Sequence, residues 1–345
     1  MRILTISLLG LFLSSFPAHA QVTDEAREVM NEIAAGLESG DFKGITGGMV
    51  SIGGEVMFEA YGRGNSAGKR HDIRSATKSI TALLVGELIE DGSLKSVSKK
   101  LSELLQDEFA HLDKDDPRRD ITVEDALTMR TGLACNDWAP ASVGHEDKMY
   151  QTKDWAAFLL SQPLAYERGK HFSYCTGGVV LLGRVIEKLS GKPVPEFANE
   201  RLFGPLGITE AKWEETPKGH TDTGGHLRLS LRDLHTIGRL VHAGGKWNGQ
   251  QLIDPKWLTS SLMEQTRIPE RRERYGYLWW RDGGTVKGKD VSLIYAHGNG
   301  GNFIFIVPEL DLVAAFTGKN YGKRTQFIPN QLVAQRIVPA LIEAN

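Results

Sequence analysis

Serine and lysine stand three positions apart at three places in the chain: Ser66–Lys69, Ser75–Lys78 and Ser96–Lys99. In a helix this spacing puts a hydroxyl and an amine one turn apart on one face, where a neutral lysine can accept the serine proton. Ser66 lies in a glycine-rich loop and Ser96 in a polar connector. Ser75 leads directly into an apolar helical pattern, so its hydroxyl would lie at a helix start beside free backbone amides that can stabilise an oxyanion. A serine cap with a solvated lysine is the alternative.

Two further glycine-rich patterns overlap near Ser66. Residues 64–68 match the G-x-S-x-G nucleophile elbow, which needs a strand before it and a helix directly after it. Residues 62–67 match the dinucleotide pattern G-x-G-x-x-A, which also requires a following helix. The charged residues 69–72 come next, so neither pattern is favoured. The sequence holds ten histidines but no H-E-x-x-H, which weighs against a metal-centred hydrolase.

Short apolar runs near both ends of the chain predict strands and helices. Periodicity predicts a helix over residues 24–39 and a closing helix that Asn330 would cap. Alternating runs at 49–52 and 56–61, separated by Gly53-Gly54, predict a β-hairpin. Near the C-terminus the strands predicted are 303–307 and 312–317.

The middle of the chain has a mainly helical pattern, with segments at 80–90, 123–129, 154–160, 179–189 and 231–242. We therefore expect an α+β fold: an antiparallel sheet built from both chain ends, flanked by N- and C-terminal helices, with an inserted all-α domain. The expected boundaries are 21–76 and 255–345 for the sheet domain and 77–254 for the helical domain.

Composition narrows the class of protein. The chain of 345 residues is 41% hydrophobic and 24% charged, with 41 Lys and Arg against 43 Asp and Glu. This balance is typical of a globular protein and excludes a disordered or collagen-like chain. The formal net charge of −2 and the lack of a basic run give no reason to expect a nucleic-acid partner.

The first twenty residues resemble an export signal. A positive start at Met1-Arg2, an apolar run over 3–12 and the small residues Ala18 and Ala20 predict a signal peptide cut after Ala20. The apolar run is about half the roughly 20 residues that a membrane span needs. We expect a periplasmic or secreted protein with no membrane anchor after cleavage.

An oxidising compartment would permit a disulfide between the only two cysteines, Cys135 and Cys175, which are 40 residues apart. Two buried, unpaired thiols that behave as small apolar residues are the alternative. Two cysteines are too few for a four-thiolate zinc site.

Four groups of residues carry a family resemblance, in this order: 74–81 (RSATKSIT), 172–176 (FSYCT) with 182–187 (LGRVIE), 275–280 (YGYLWW) and 298–302 (GNGGN). Together they resemble the serine β-lactamase and penicillin-binding-protein superfamily, in its class C and esterase branch, which includes 6-aminohexanoate-dimer hydrolase-like enzymes. The resemblance spans nearly the whole chain after Ala20. It implies the fold expected above, with the active site between two lobes. It also implies Ser75 as nucleophile, Lys78 as its activating neighbour and Tyr174 as their partner.

Elementary acid–base chemistry explains why a lysine and a tyrosine are needed together. Neutralising a free lysine at pH 7 costs roughly 4–5 kcal/mol, and ionising a free tyrosine costs roughly 4 kcal/mol. In a dry cleft the two groups can share one proton and titrate as a unit. Tyr174 could then return a proton to the leaving alcohol or amine.

Two departures from the family pattern weigh against efficient β-lactam hydrolysis. The second motif is commonly Tyr-x-Asn, and Thr176 here lacks the carboxamide. The third motif of true β-lactamases is Lys-Thr-Gly, and the local match is Ala296-His297-Gly298. The positive charge that would meet a substrate carboxylate is therefore missing, and His297 either replaces part of it or only fills space.

These patterns predict an exported serine hydrolase that cleaves an ester or small amide through an acyl-enzyme on Ser75. A class C-like β-lactamase, a D,D-peptidase and a catalytically silent binding module are the alternatives. The partner expected is a small-molecule ester, amide or lactam, and the chemistry requires no metal or organic cofactor. One oxyanion amide is expected from Ser75 and the other from residues 299–302. The residues expected to contact substrate are Asp137, Trp138, Thr176, His297, Gly298, Asn299 and Gly300.

Overall fold

The computed structural model describes residues 22–342, and the predicted signal peptide lies outside them. Its centre is an eight-stranded antiparallel sheet with the strand order β2-β1-β12-β11-β10-β9-β8-β7. Two short two-stranded sheets, β3-β4 and β5-β6, lie beside it. The strands are β1 Ile45–Ile52, β2 Glu55–Tyr61, β3 Arg70–Asp72, β4 Arg228–Ser230, β5 Lys246–Trp247, β6 Gln250–Gln251, β7 Thr266–Arg267, β8 Arg274–Tyr275, β9 Trp280–Val286, β10 Lys289–Gly298, β11 Asn302–Val307 and β12 Leu312–Gly318.

Both chain ends contribute neighbouring strands, as the sequence predicts. The hairpin of β1 and β2 turns at Gly53 and Gly54, whose φ angles of 59° and 82° suit glycine. Strand β1 also pairs with β12, so the first and last strands of the chain lie side by side inside the sheet, next to its β2 edge. The antiparallel α+β prediction is confirmed.

The described helices differ in length. In chain order, one precedes the first strand, most lie between strands, and the last two follow β12. They are α1 Asp24–Ser39, α2 Thr77–Glu90, α3 Leu101–Leu104, α4 Val123–Leu127, α5 Glu146–Met149, α6 Trp155–Leu160, α7 Thr176–Ser190, α8 Val194–Ala198, α9 Leu231–His242, α10 Pro255–Leu262, α11 Ile328–Gln331 and α12 Val338–Leu341. Single-turn 3₁₀ segments and two π-helical segments, Asn199–Phe203 and Leu332–Ile337, connect some of them.

Helices cover both faces of the sheet. Neighbouring residues of a strand point to opposite faces. In β1 the backbone of Gly48 lies against Leu37 of α1, whereas that of Gly47 lies against Leu231 at the start of α9. The last helices of the chain contact α1 and share its face. The result is a three-layer arrangement in which α9 and the helical part lie on the face opposite the chain termini.

Helix α2 is the centre of the helical part. Twelve of its residues are buried, because α7, α10 and the sheet surround it. Such a helix has no polar face, which fits its nearly continuous apolar sequence. The division of the chain at residues 77 and 254 stays a prediction.

Asn330 does not cap the closing helix as expected. It lies inside α11, which starts at Ile328 and places Pro329 in its first turn, where the missing amide costs no hydrogen bond. Within residues 22–342, no helix combines the length and apolarity needed to cross a bilayer.

Candidate active site

Ser75 and Lys78 are held together at the entrance of α2. Ser75 lies on the 3₁₀ turn Arg74–Ala76, which continues directly into the helix. Lys78 is 1% exposed, and its Nζ donates to Ser75 Oγ at 3.1 Å and to the main-chain oxygen of Gly224. Arg74 adopts a left-handed φ of 52°, which costs about 1 kcal/mol or more in a non-glycine residue and turns the chain sharply into the helix.

The other two serine–lysine pairs lie on exposed loops. Lys69 donates from Nζ to the main-chain oxygen of Gly64, and Lys99 forms an ion pair with Glu103. Each of these lysines is exposed and has another partner. The structure therefore brings serine and lysine together only at Ser75 among the three pairs.

Tyr174 lies next to Ser75 and Lys78. Its ring centroid is 5.2 Å from Lys78 Nζ, and the ring stacks on Trp138 at 5.3 Å. Burial raises the pKa of Tyr174, although the Lys78 ammonium and a hydrogen bond with Ser75 act in the opposite direction. The phenol therefore keeps its proton at neutral pH and can deliver it to a neighbouring oxygen or nitrogen.

A disulfide braces the segment that carries Tyr174. Cys135 and Cys175 are bonded, with their Sγ atoms 2.04 Å apart. The main-chain amide of Asp137 donates to the carbonyl of Tyr174 at 2.8 Å, and the Ser173 hydroxyl donates to the carbonyl of Cys135. Covalent and hydrogen bonds thus fix the loop after Cys135 against the tyrosine.

Two half-buried carboxylates of this loop face the start of α7. Asp137 Oδ2 accepts from the Thr176 amide at 2.6 Å, and Glu146 Oε2 accepts from the Thr176 hydroxyl at 2.7 Å. Burial and the Glu146 carboxylate raise the pKa of Asp137 to about 6. Burial also opposes ionisation of Glu146. The charge of Lys78 and the hydrogen bonds that Glu146 accepts outweigh burial, so the pKa of Glu146 is lowered.

Thr176 does not have the substrate-binding position expected for it. Its side chain is fully buried, and its hydroxyl and amide are both committed to the carboxylates of the loop. Asp137 and Trp138 line the cavity, and their contact with substrate stays a prediction.

The end of strand β10 lies directly against the Arg74–Ala76 turn that carries Ser75. A Cβ on Gly298 would be 1.8 Å from the carbonyl oxygen of Ile73, so only glycine permits this approach. The next residue, Asn299, lines the same cavity as Ser75. Its side-chain oxygen accepts from the Gly322 amide at 2.9 Å.

Gly300, also expected to contact substrate, does not line the cavity. It has a φ of 100°, and its amide donates to Gln326 Oε1 at 3.4 Å while its carbonyl accepts from Asn320. Its role is to form the turn after β10. Gly298 likewise acts through close packing rather than by lining the cavity.

His297 lies in the cavity wall, stacked on Phe303 with ring centroids 4.4 Å apart. Burial lowers the pKa of His297 to about 4, so the ring is neutral at pH 7. It therefore does not replace the charge of the missing lysine.

These groups surround a cavity of about 570 Å³. The sequence-predicted residues on its wall are Ser75, Asp137, Trp138, Tyr174, His297 and Asn299, with Lys78 directly behind Ser75. The residues that sequence reasoning did not place there include Glu146, Arg271, Glu273, Trp280, Asp282, Phe303 and Phe327. Trp280 belongs to a segment that carried the family resemblance. No local sequence pattern pointed to Glu146, because it is the disulfide-braced loop that brings this residue to the cavity.

A serine held by a buried lysine and a buried tyrosine, between an antiparallel sheet and a helical part, is the arrangement expected from the resemblance to β-lactamases and penicillin-binding proteins. The chain belongs to the Beta-lactamase family, whose model matches residues 31–335. Membership of the class C branch stays a prediction.

Relatives within the superfamily have different described activities. The chain is 24% identical to 6-aminohexanoate-dimer hydrolase from Paenarthrobacter ureafaciens over 77% of this chain and 70% of that protein. It is 28% identical to lovastatin esterase from Penicillium rubens over 50% of this chain and 46% of that protein. Two Mycobacterium tuberculosis relatives are matched over 61% of their length, so the chain spans less than two thirds of these relatives and of the esterase.

Solved structures share the fold. The structure of EstCE1, a hydrolase with promiscuous acyltransferase activity, aligns with a TM-score of 0.72 at 15% identity, over 92% of this chain and all of that one. At this identity the likeness supports the fold alone.

Proposed function

We propose that this protein hydrolyses esters or small amides through a covalent acyl-enzyme on Ser75. The observation that carries the proposal is the contact of Lys78 Nζ with Ser75 Oγ at 3.1 Å, beside the buried Tyr174 and open to a cavity of about 570 Å³. The descriptions of the esterase and amide-hydrolase relatives support this substrate range.

In the acylation step, Ser75 Oγ forms a bond to the substrate carbonyl carbon while its proton passes to the Lys78/Tyr174 pair. The carbonyl oxygen becomes an oxyanion. When it collapses, the bond to the leaving alcohol or amine breaks, and Tyr174 donates the proton that this group needs. Water then attacks the acyl-enzyme by the same route in reverse and regenerates the Ser75 hydroxyl.

The oxyanion is stabilised in this proposal by two backbone amides, those of Ser75 and Asn299. The tight packing of Gly298 against the carbonyl of Ile73 supports this choice, because it brings the two backbones together. Rigid backbone amides at this place stabilise the oxyanion where its negative charge develops, and they need no reorganisation during the reaction.

Replacing the nucleophile tests the proposal. Ser75→Ala should lower kcat/KM for p-nitrophenyl acetate by at least about 1,000-fold, because the covalent route is lost. Its circular dichroism spectrum should not change, because the side chain loses only one oxygen. Ser66→Ala and Ser96→Ala are the matched controls, since each removes a serine from the same sequence pattern on an exposed loop. Retained activity in Ser75→Ala, or loss in a folded Ser66→Ala variant, would contradict the assignment.

We also propose that the protein is exported after cleavage behind Ala20. The charged start, the apolar run and the small residues before the cut support this, and the disulfide between Cys135 and Cys175 suits an oxidising compartment. Mass spectrometry of the protein recovered from the periplasm or medium should give a chain that begins at Gln21. A chain that begins at Met1 would contradict export by this signal.

A further inference from the structure

A second cavity, which we name the distal cleft, lies at the end of the sheet remote from Ser75. It has a volume of about 450 Å³, and its wall includes Gly54, Arg239, His242, Lys246, Trp247 and Asp311. Strand β11 runs between the two sites. Its first residue pairs with Gly298 near Ser75, and its last residue pairs with Leu312, which directly follows Asp311. A strand of this length spans about 17 Å, so the distal cleft is separate from the cavity of Ser75.

The guanidinium of Arg239 distinguishes this cleft. Arg239 is half-buried, and within residues 22–342 none of its N–H groups has an acceptor. Every other half-buried arginine in this part of the chain donates to an oxygen atom. The guanidinium carbon of Arg239 lies 5.4 Å from the ring centroid of Trp247. An arginine that an aromatic ring supports while its donors stay free is well placed to bind an anion.

The remaining charges of the distal cleft also favour an anion. Lys246 lines it, and its ammonium has neither an ion-pair nor a hydrogen-bond partner among the described residues. Asp311 is the one carboxylate on the described wall, and it is paired with His242. Two cations that the protein does not neutralise therefore face one cleft, and an anion bound between them would compensate both.

A phosphate group matches these two cations better than a carboxylate does. A phosphate monoester carries a charge of about −1.5 to −2 at pH 7, whereas a carboxylate carries a single charge. An arginine can donate two parallel hydrogen bonds to phosphate oxygens, and a lysine can add a point charge. The volume of the cleft lies within the range of small-molecule sites, which leaves room for an organic group beside Trp247.

We propose that the distal cleft binds a small molecule that bears a phosphate monoester. The phosphate oxygens accept from Arg239 and Lys246, and the organic part of the ligand packs against Trp247. This site is additional to the acyl-enzyme chemistry proposed for Ser75. Neither Arg239 nor Lys246 lines the cavity of Ser75, so binding and hydrolysis can be measured independently.

Isothermal titration calorimetry with phenyl phosphate tests the class of ligand, in a buffer that contains no phosphate. The wild-type protein should bind phenyl phosphate at least about tenfold more tightly than benzoate, because the phosphate meets two cations. It should also bind phenyl phosphate more tightly than inorganic phosphate, which has no ring to contact Trp247. Equal or tighter binding of benzoate, or no binding of phenyl phosphate at millimolar concentration, would overturn the proposal. Equal affinity for inorganic phosphate would overturn the contact with Trp247.

Substitutions of the two cations test their roles. Arg239→Gln should weaken the binding of phenyl phosphate by at least about tenfold, because charge-assisted hydrogen bonds are lost. Arg239→Lys keeps the charge without the planar fork and should lose less, and Lys246→Gln should weaken binding by about threefold. The matched control is Arg63→Gln, which removes an exposed arginine outside the cleft and should leave the dissociation constant unchanged. An unchanged dissociation constant in a folded Arg239→Gln variant would contradict the proposal.

The indole N–H signals in a nuclear magnetic resonance spectrum report where phenyl phosphate binds. The signal that Trp247→Phe removes belongs to Trp247, and Trp138→Phe identifies that of Trp138 in the same way. Phenyl phosphate should shift the Trp247 signal of the wild-type protein and leave the Trp138 signal in place, since Trp138 lines the cavity of Ser75. A shift of the Trp138 signal alone would show binding in the other cavity and would overturn the proposal.

Discussion

At the scale of single residues, the proposed chemistry depends on a tyrosine that keeps its proton. Burial raises the pKa of Tyr174, and the stacked ring of Trp138 limits access of water to it. Such a phenol is a poor base by itself but an effective donor once Lys78 can replace its proton. In the proposed mechanism the lysine and the tyrosine therefore act as one acid–base unit beside Ser75.

Tyr174→Phe should accordingly lower kcat for p-nitrophenyl acetate by about 100- to 10,000-fold, the range typical of general acid–base groups, without a change in the melting temperature larger than a few degrees. Tyr166→Phe is the control, because Tyr166 is exposed and stacks on His171 on the surface. A folded Tyr174→Phe variant with the full rate would remove Tyr174 from the mechanism.

The three central residues could be predicted from sequence, because helical geometry alone brings Ser75 to Lys78 and the family resemblance adds Tyr174. Thr176 and Gly300 do not line the cavity, because their positions depend on partners far away in sequence. Thr176 is buried under a loop that starts 41 positions before it. Periodicity carries no information about such contacts.

At the scale of elements, α2 is held by contact with α10 as well as by its own sequence. A Cβ on Gly86 would be 2.3 Å from the ring of Trp257, whose Nε1 donates to the carbonyl of Ala82 at 3.1 Å. The glycine is therefore required for two helices to pack closely.

Two glycine-to-alanine variants should have opposite effects on the free energy of unfolding. Gly86→Ala should destabilise the protein by about 1–3 kcal/mol, because overpacking outweighs the better helix propensity of alanine. Gly178→Ala in α7 should stabilise it by up to about 1 kcal/mol, because its nearest neighbour would lie 3.6 Å from the new Cβ. Urea unfolding checks both values, and effects of the same sign would contradict this packing.

Element prediction succeeded where the local pattern decides the structure. The helix α1 was predicted with its observed limits, because Thr23 caps it and Gly40 ends it in a left-handed conformation. The hairpin of β9 and β10 was not predicted. Most of β9 and the first two residues of β10 are exposed or half-buried, so they show no apolar alternation, and the pairing with β8 and β11 fixes them.

At the scale of the whole molecule, a buried charge links stability to pH. Glu87 of α2 is 2% exposed and accepts from Arg201 Nε at 2.8 Å. Burial raises the pKa of Glu87 to about 7 in spite of that arginine. Because this folded-state pKa exceeds the ordinary value, the unfolded chain ionises first as the pH rises, and stability is lost between about pH 4.5 and 7.

Glu87→Gln should remove this dependence. Relative to the variant, the wild-type free energy of unfolding should fall by about 3 kcal/mol between pH 4.5 and 7 and change little above pH 7. Denaturant unfolding of both proteins at a series of pH values measures this difference. A constant difference across the series would show that the pKa of Glu87 is the same in the folded and the unfolded chain.

The central claim, an acyl-enzyme on Ser75, can be tested most directly by mass spectrometry. The protein is mixed with p-nitrophenyl acetate, quenched in acid during turnover and digested. The peptide that contains Ser75 should gain the mass of one acetyl group on that serine, and the adduct should disappear once the ester is consumed. Ser75→Ala should show no such transient adduct. Turnover by the wild-type protein without acetylation of Ser75, or with a transient adduct on Ser66 instead, would contradict the account.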